Sequence, residues 1–361
     1  MKTGKVYFRN LNAIRFIASY MVVFHHIEQF KLLYNLPNNF DHDSPFYLMG
    51  KLGVVLFFVL SGFLITYLLL KEEEVTGTIK IKDFYIRRIL KIWPLYFLIF
   101  IIGLYILPNI PFLSIDGYSA GVVQENIWLR TFLFVFFLPN LMMVASATGN
   151  GFIPGANQLW SIGTEEQFYL FWPVLFKNIK VKRFVTMFLL IVVYLALRFG
   201  VAHLPASTGQ KHLQTFLGFF NIDCMAIGGI AAMVYYHKKT AILNLVYNPF
   251  LQWGLLLGTI FCIYQGYYFS QGYYSEIYAV PFAAIILSFA TNPKPILNLE
   301  SKWSNYLGKI SYGIYMYHCI AAMIVISVLR YYNIVGNPAI YIGTVVLTTA
   351  LAALSYHYFE E

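Results

Sequence analysis

Residues 11–27 read LNAIRFIASYMVVFHHI, an apolar stretch that contains Arg15 and His26, eleven residues apart. In an α-helix eleven residues make about three turns plus 20°, so the two side chains share one face, roughly 16 Å apart along the axis. His25 lies about 100° away and cannot point the same way. A cation and a titratable ring aligned in an apolar helix are costly and indicate a functional site.

The composition predicts an integral-membrane protein. The chain has 361 residues, of which 59% are apolar and 11% charged, and its mean hydropathy is +0.64. Soluble domains carry about 25% charged residues. Apolar runs near 20 residues, such as 184–199, do not alternate as barrel strands do, so an all-α polytopic fold is expected. We expect residues 1–361 to form one integral-membrane domain without a soluble domain.

The net charge of +9 does not indicate nucleic-acid binding, because the positive residues cluster at helix ends, where they orient spans and meet membrane lipids. Cys224, Cys262 and Cys319 lie in separate apolar runs without metal-ligand spacing, so we interpret them as buried small hydrophobes and expect no metal. The basic N-terminus resembles the start of a signal peptide, but the polar residues after it favour a retained first span.

The distribution of positive charge predicts ten crossings with both termini in the cytoplasm. The lysines and Arg183 of 177–183 should lie in the cytoplasm. Two full crossings between 127 and 176 would instead leave them outside. We therefore expect one of those two stretches to be re-entrant or partial. The eleven apolar stretches are 12–30, 50–70, 88–107, 127–145, 158–176, 183–202, 215–236, 249–270, 277–291, 305–329 and 339–358.

Two polar clusters each have two interpretations. Glu165 and Glu166 begin an apolar stretch, either as a solvated helix start or as part of a lined cavity, and being about 100° apart they should have different partners. Arg87, Arg88 and Lys91 form either a membrane-anchoring cluster or a phosphate site, since Arg88 and Lys91 are neighbours on one helix face.

Other polar residues in apolar stretches favour packing. The segment Ser61-Gly62-Phe63 is typical of close helix contact, and His318 is most simply a hydrogen-bonded intramembrane histidine. Asp223 is a buried acid without an obvious partner. The sequence contains no Gly-x-Ser-x-Gly motif, P-loop or cysteine-based zinc motif.

Five segments in order resemble the acyltransferase family 3 membrane proteins, the bacterial O-acyltransferases of cell-envelope glycans. The resemblance covers essentially the whole chain, and the family's ten-helix core agrees with the crossing count. The five segments are LNAIRFIASYMVVFHHI, FFVLSGFLI, RRILKIWPLY, WSIGTEEQFYLFWP and SYGIYMYH.

Three departures from the family pattern stand out. Asn12 occupies a position where the family usually has an acidic residue that would be a partner for Arg15. Lys91 replaces the second arginine of the Arg-x-x-Arg pair, which keeps the charge but loses the planar fork. We also expect no fused SGNH-type esterase domain.

The resemblance implies transfer of an acyl group, most simply acetyl from cytoplasmic acetyl-CoA, to a hydroxyl of a glycan such as lipopolysaccharide or exopolysaccharide. It implies a bacterial inner-membrane location. Arg87, Arg88 and Lys91 would hold the CoA phosphates. His26 would act as general base or carry the acyl group, oriented by Glu165 or Glu166, and Arg15 would line the donor path or stabilise an oxyanion.

Further residues of the same motifs are candidates for contact with substrate, and the tyrosines of 267–274 are either sugar-stacking rings or an aromatic belt. The runner-up function is a transporter or exporter, disfavoured because the second half of the sequence does not repeat the first. A third interpretation is a non-catalytic scaffold. The sequence leaves the acceptor, the acyl group and the oligomeric state open. The candidate substrate-contacting residues are His25, Ser61, Trp160, Tyr169, Tyr315 and His318.

Overall fold

The computed structural model describes residues 6–146, 151–269, 272–334 and 336–360. The protein is 77% helical, and no strand occurs in those ranges. The all-α prediction is therefore confirmed. The α-helices, numbered in chain order, are α1 (Leu11–Leu33), α2 (Pro45–Thr76), α3 (Ile81–Ile101), α4 (Ala120–Val123), α5 (Ile127–Val135), α6 (Asn140–Ser146), α7 (Leu159–Asn178), α8 (Arg183–Ala202), α9 (Thr208–Phe220), α10 (Ile222–Tyr236), α11 (Thr240–Val246), α12 (Pro249–Tyr264), α13 (Tyr274–Thr291), α14 (Lys302–Lys309), α15 (Ser311–Tyr331) and α16 (Asn337–Ser355).

Short non-α turns extend two of these helices. A π-helix (Ile102–Ile106) and a 3₁₀ turn (Leu107–Asn109) continue α3, and a π-helix (Tyr356–Glu360) continues α16. A second 3₁₀ turn covers Pro111–Leu113. These turns lengthen α3 from 21 to 29 residues and α16 from 19 to 24, and a membrane crossing needs about 20.

Within the described ranges, seven helical segments are long and apolar enough to cross a membrane, and α11 with α12, bent by 60°, makes an eighth if the pair counts as one span. The protein is thus a multi-pass membrane protein. The helices α1 and α7 are 23 and 20 residues long but are not among the seven. Helix α1 carries Arg15, His25 and His26, and α7 carries Glu165 and Glu166; such polar residues lower the apolarity of a helix.

The stretch 127–145 is broken, whereas 158–176 forms one continuous helix. The break separates α5 from α6 at Phe137, whose φ of 57° lies in the left-handed region. A left-handed residue other than glycine cannot continue a right-handed helix. Of the two stretches expected to share one crossing, it is the first that lacks a continuous helix.

Helix α2 lies at the centre of the bundle and packs closely against α10 and α1. A Cβ at Gly62 would lie 1.8 Å from the carbonyl oxygen of Met225, and one at Gly228 would lie 2.0 Å from that of Val59. Small residues allow helix backbones to approach closely in membranes, where packing rather than hydrophobicity drives association. The packing interpretation of the Ser61-Gly62-Phe63 segment is confirmed for Gly62.

A fully buried ion pair fixes the second half of α1. The Lys31 ammonium donates to Glu28 Oε1 over 2.6 Å, and the two side chains are 1% and 0% exposed. The same oxygen accepts from the Tyr341 hydroxyl of α16 at 2.6 Å, and Oε2 accepts from the Asn39 backbone N–H. Glu28 therefore joins α1 to α16 and to the loop that leads to α2.

We expect Lys31→Met to destabilise the protein by about 3–5 kcal/mol, because it leaves the Glu28 carboxylate buried without its cation. Thermal unfolding in one detergent measures the loss. The control is Lys71→Met, which breaks the exposed pair of Lys71 and Glu74, also spaced i,i+3, and should hardly change the unfolding temperature. Equal shifts in the two variants would contradict the structural role of the buried pair.

Candidate active site

The two adjacent histidines of α1 have different partners. His26 Nδ1 lies 2.7 Å from Oε1 of Gln29, one turn further along the same helix. His25 Nδ1 donates to the Phe46 carbonyl oxygen over 3.0 Å, and its ring lies where a side chain at Gly50 of α2 would be, since a Cβ there would lie 2.1 Å from His25 Cγ. His25 is therefore packed against α2, as the expected 100° divergence requires.

A third histidine, His318 of α15, completes a histidine cluster formed by His25, His26 and His318. Its ring centroid lies 4.8 Å from that of His26, the same separation as between His25 and His26. His318 is fully buried, and its Nδ1 donates to the Tyr315 carbonyl oxygen over 2.6 Å. The sequence predicted both His26 and His318 as site residues, and the fold brings them together.

The hydrogen bonds fix the same tautomer on all three rings. Each Nδ1 faces an oxygen that accepts, which places the proton on Nδ1 and the lone pair on Nε2. On His318 that lone pair faces the thiol of Cys319. Among the three, His26 is partly exposed and the other two are buried. His26 is thus the histidine of the cluster that a ligand can reach most easily.

The thiol of Cys319 lies beside the histidine cluster, 3.3 Å from His318 Nε2. Ligand atoms of His26, His318 and Cys319 all lie within 4.8 Å of one another, and two imidazoles with a thiolate are ligands that zinc and copper accept. The sequence interpretation of Cys319 as a buried residue is confirmed, but its closeness to His26 was missed because the two positions are far apart in sequence.

The two glutamates of α7 have different partners, as their spacing predicts. Glu165 accepts from the Ser61 hydroxyl at 2.6 Å and from the Tyr169 hydroxyl at 3.3 Å. Glu166 Oε2 accepts from Trp93 Nε1 at 2.9 Å, and its Oε1 is buried without a partner. Two of the candidate substrate-contacting residues, Ser61 and Tyr169, therefore hold Glu165.

The structure does not bring either glutamate to His26. The prediction that Glu165 or Glu166 orients the imidazole is wrong, since Gln29 occupies that position and neither carboxylate hydrogen-bonds to His26 in the described part of the chain. The physical reason is the position of the two glutamates along the axis of the helix bundle. Glu165 lies in the electrostatic field of Arg15 and Arg88, at the other end of the α1 face from the histidines.

Arg15, Arg88 and Lys91 form a cationic group at that other end. The charge of Arg88 acts on Arg15, and both act on Lys91, with Glu165 and Glu360 as the opposing carboxylates. The Arg88 guanidinium lies 5.4 Å from the centre of the Tyr169 ring, and its Nε is buried without a hydrogen-bond partner. An unpartnered guanidinium N–H beside two further cations suits a phosphate ligand.

Arg87, the third predicted phosphate-binding residue, lies apart from the cationic group. Its guanidinium donates to Glu72 over 3.2 Å, and its side chain is 58% exposed. Adjacent helical residues point about 100° apart, which separates Arg87 from Arg88. The basic segment therefore divides into an exposed arginine, Arg87, paired with Glu72, and two cations of the cationic group, of which Arg88 is partly buried and Lys91 is exposed.

Tyr315 connects α7 to the histidine cluster. Its hydroxyl lies 2.6 Å from the Ser161 hydroxyl and 3.1 Å from the Gln158 carbonyl oxygen, and its ring centroid is 5.6 Å from that of His318. Trp160, the remaining candidate, packs edge-on against Phe219 with 4.8 Å between ring centroids. Helix α7 thus contacts the histidines through its first turn and the cationic group through Glu165.

The described residues thus form a helical membrane bundle with an imidazole cluster and a separate cationic group. A family model described as an acyltransferase domain, of the acyltransferase 3 type, matches residues 8–357. The chain therefore belongs to the acyltransferase 3 family, as its motifs predicted.

The chain is similar to curated relatives named as O-acetyltransferases. It is 26% identical over 332 residues to the O-acetyltransferase OatA of Staphylococcus aureus strain NCTC 8325, covering 86% of this chain and 52% of that protein. It is 26% identical over 341 residues to the "Putative peptidoglycan O-acetyltransferase YrhL" of Bacillus subtilis strain 168, covering 86% and 50%. The chain spans about half the length of the curated relatives that it matches. No solved structure matches it.

Proposed function

We propose that the protein is a bacterial inner-membrane O-acyltransferase. It transfers an acyl group, most simply acetyl, from cytoplasmic acyl-CoA to a hydroxyl of a cell-envelope glycan. Family membership and the printed names of the relatives support this reaction class. The observation that carries the proposal is that one face of α1 places His26 in the histidine cluster and Arg15 in the cationic group.

The helices support ten crossings. Besides the seven apolar segments, the bent pair α11–α12 supplies an eighth, and α1 and α7 bring the number to ten. Helices α4, α5 and α6 are then the partial segment. With a cytoplasmic N-terminus, the cationic group lies toward the cytoplasm and the histidine cluster toward the outer side.

The cationic group would bind the donor. Arg88 and Lys91 hold the CoA phosphates, with Arg88 providing directed N–H donors and Lys91 a point charge. Arg15 lines the donor path. It does not stabilise an oxyanion beside His26, because eleven residues of helix separate the two by about 16 Å and the charged residues that act on it are Arg88 and Glu165.

His26 would act at the acceptor. Its Nε2 takes the proton of a glycan hydroxyl as that oxygen bonds to the thioester carbon. The carbon–sulfur bond then breaks, CoA leaves as the thiolate, and the imidazolium returns a proton to it, so the products are the ester and CoA. Gln29 holds Nδ1 and thereby keeps Nε2 directed at the hydroxyl. A transient acyl group on His26 is the alternative route.

Replacing each α1 histidine by asparagine tests the assignment of the base. Asparagine retains a donor near the position of Nδ1 but lacks Nε2. We expect His26→Asn to lower acetyl transfer about 10²–10⁴-fold, the usual contribution of a general base. His25→Asn can still donate to the Phe46 carbonyl oxygen and should change the rate only a few-fold. The measurement is CoA release from acetyl-CoA by purified protein with a glycan acceptor.

Cys319→Ala is measured beside these two variants. If His26, His318 and Cys319 held a required metal ion, this variant would be as inactive as His26→Asn. We expect it to retain most of the activity. Equal losses in His25→Asn and His26→Asn would contradict the assignment of His26 as the base.

The donor site is tested at two neighbouring arginines. Arg88→Gln should raise the KM for acetyl-CoA at least about tenfold, since it removes charged hydrogen bonds to phosphate. Arg87→Gln is the matched control and should change it little, because Arg87 is paired with Glu72. The Arg88 effect should shrink as salt rises. An unchanged KM for acetyl-CoA in Arg88→Gln would show that Arg88 is not part of the phosphate site. If the protein were a transporter, neither wild type nor any variant would release CoA.

A further inference from the structure

A second feature of the molecule is a cavity of about 410 Å³ between α2, α7, α8, α9 and the start of α13. Its volume lies within the range of small-molecule sites. The side chains that the argument uses are Lys51 of α2, Trp160 of α7, Arg198 of α8, and Asn221 and Tyr273 at helix ends. None of the chemistry proposed above for the cationic group uses this cavity.

Lys51 is a cation without a counter-ion inside the bundle. Its ammonium lies 4.3, 5.3 and 5.5 Å from the ring centres of Tyr47, Tyr268 and Tyr274. Within the described ranges no carboxylate forms an ion pair with it. An ammonium inside a membrane helix bundle is costly, and an aromatic cage offsets only part of that cost. The site therefore suits an anionic ligand.

The other cation of the cavity is already neutralised. The Arg198 guanidinium pairs with Glu276 and donates to the Gly272 carbonyl oxygen. Asp223, which is fully buried, adds a second carboxylate that acts on Arg198. Arg198 thus holds the cavity wall together, and Lys51 is the group left to recognise a negative charge.

Unpartnered polar atoms and aromatic rings accompany Lys51. Asn221 is 4% exposed, its Nδ2 donates to the Gly218 carbonyl oxygen, and its Oδ1 is buried without a donor. The Tyr268 hydroxyl is likewise buried without a partner. A buried oxygen without a donor destabilises a protein unless a ligand supplies the hydrogen. Hydroxyl groups beside the faces of Trp160 and Tyr273 would supply it, which is the chemistry of a sugar.

The cavity adjoins the histidine cluster on two walls. On α2, Tyr47 contacts the Lys51 ammonium on one side and the His25 ring on the other, with 5.9 Å between the ring centroids. On α7, Trp160 lines the cavity while the next residue, Ser161, bonds to Tyr315 beside His318. A ligand in the cavity is therefore separated from His25 by Tyr47 and from His318 by Ser161 and Tyr315.

We propose that this cavity binds the acceptor glycan and selects a sugar that carries an anionic group, a carboxylate or a phosphate, which Lys51 holds. This proposal rests on the proposed acyltransferase function. It adds where the acceptor binds and that the acceptor carries a negative charge. The sugar ring lies against the aromatic faces, and Asn221 Oδ1 accepts from one of its hydroxyls.

The test uses the full chain in nanodiscs of neutral phosphatidylcholine and a matched pair of disaccharide glycosides. One glycoside carries a carboxylate and the other the neutral carboxamide. Wild-type protein should show at least about a tenfold lower KM for the carboxylate, and Lys51→Met should abolish that difference. Lys51→Arg should restore most of it, while Lys211→Met, an exposed lysine of α9, should leave it intact.

Two results with the glycosides would overturn the proposal. One is equal KM values for the two glycosides in wild-type protein, and the other is a preference that persists in Lys51→Met. Direct titration of the carboxylate glycoside against wild type and Lys51→Met separates this proposal from the acyltransferase function, because it needs no turnover. If wild type binds the glycoside and Lys51→Met does not, but wild type releases no CoA, the proposed binding site is supported and the proposed acyltransferase function is contradicted.

A competition experiment distinguishes a glycan from a phospholipid headgroup as the ligand. Bound carboxylate glycoside is challenged either with a sugar phosphate on a lipid anchor or with anionic phospholipid in the nanodisc. Displacement by the phospholipid alone would overturn the assignment of the cavity to a glycan.

Discussion

The close contact between α1 and α2 is the constraint on which the rest of the site depends. It requires glycine at position 50, because the His25 ring occupies the space of a side chain there. With His25 held against α2, the neighbouring His26 points toward α15 and meets His318. The same approach sets Arg15 at the other end of the α1 face, beside Arg88 and Glu165.

A second principle is the satisfaction of polar groups inside an apolar bundle. Glu28 and Lys31 neutralise each other, Glu165 accepts from two hydroxyls, and each histidine donates through Nδ1. Because most buried polar groups are paired, the exceptions carry information. The unpartnered Nε of Arg88 and Oδ1 of Asn221 lie in the two places proposed for the donor and for the acceptor.

Much of this could be predicted from the sequence, since periodicity and charge are local properties. The shared face of Arg15 and His26, the divergence of His25 and the burial of Asp223 follow from helix geometry and apolarity, whereas the approach of Arg198 to Asp223 does not. The approach of His318 and Cys319 to His26 depends on how α15 packs against α1, which no local pattern encodes. The contact between Gln29 and His26 could have been predicted from the sequence, because their i,i+3 spacing places the two side chains on one helix face.

The misassigned role of the glutamates has the same cause. Motif order placed Glu165 and Glu166 in the site, but their level along α7 relative to α1 is a tertiary property, and it sets Glu165 beside the cations rather than the imidazole. Lys51 was overlooked because one lysine near the start of an apolar stretch is unremarkable in sequence. Its significance arises from three tyrosine rings that converge on it from two separate segments.

The central claim is that the acyl group enters at the cationic group and leaves at the histidine cluster, on opposite sides of the membrane. Proteoliposomes with uniformly oriented protein test it directly. Radiolabelled acetyl-CoA is supplied only on the side of Arg88, and a membrane-impermeant glycan acceptor is placed either in the same compartment or across the bilayer. The account predicts labelled acceptor only when it lies across the bilayer. Label on acceptor that shares the compartment of acetyl-CoA, and none across the bilayer, would contradict it.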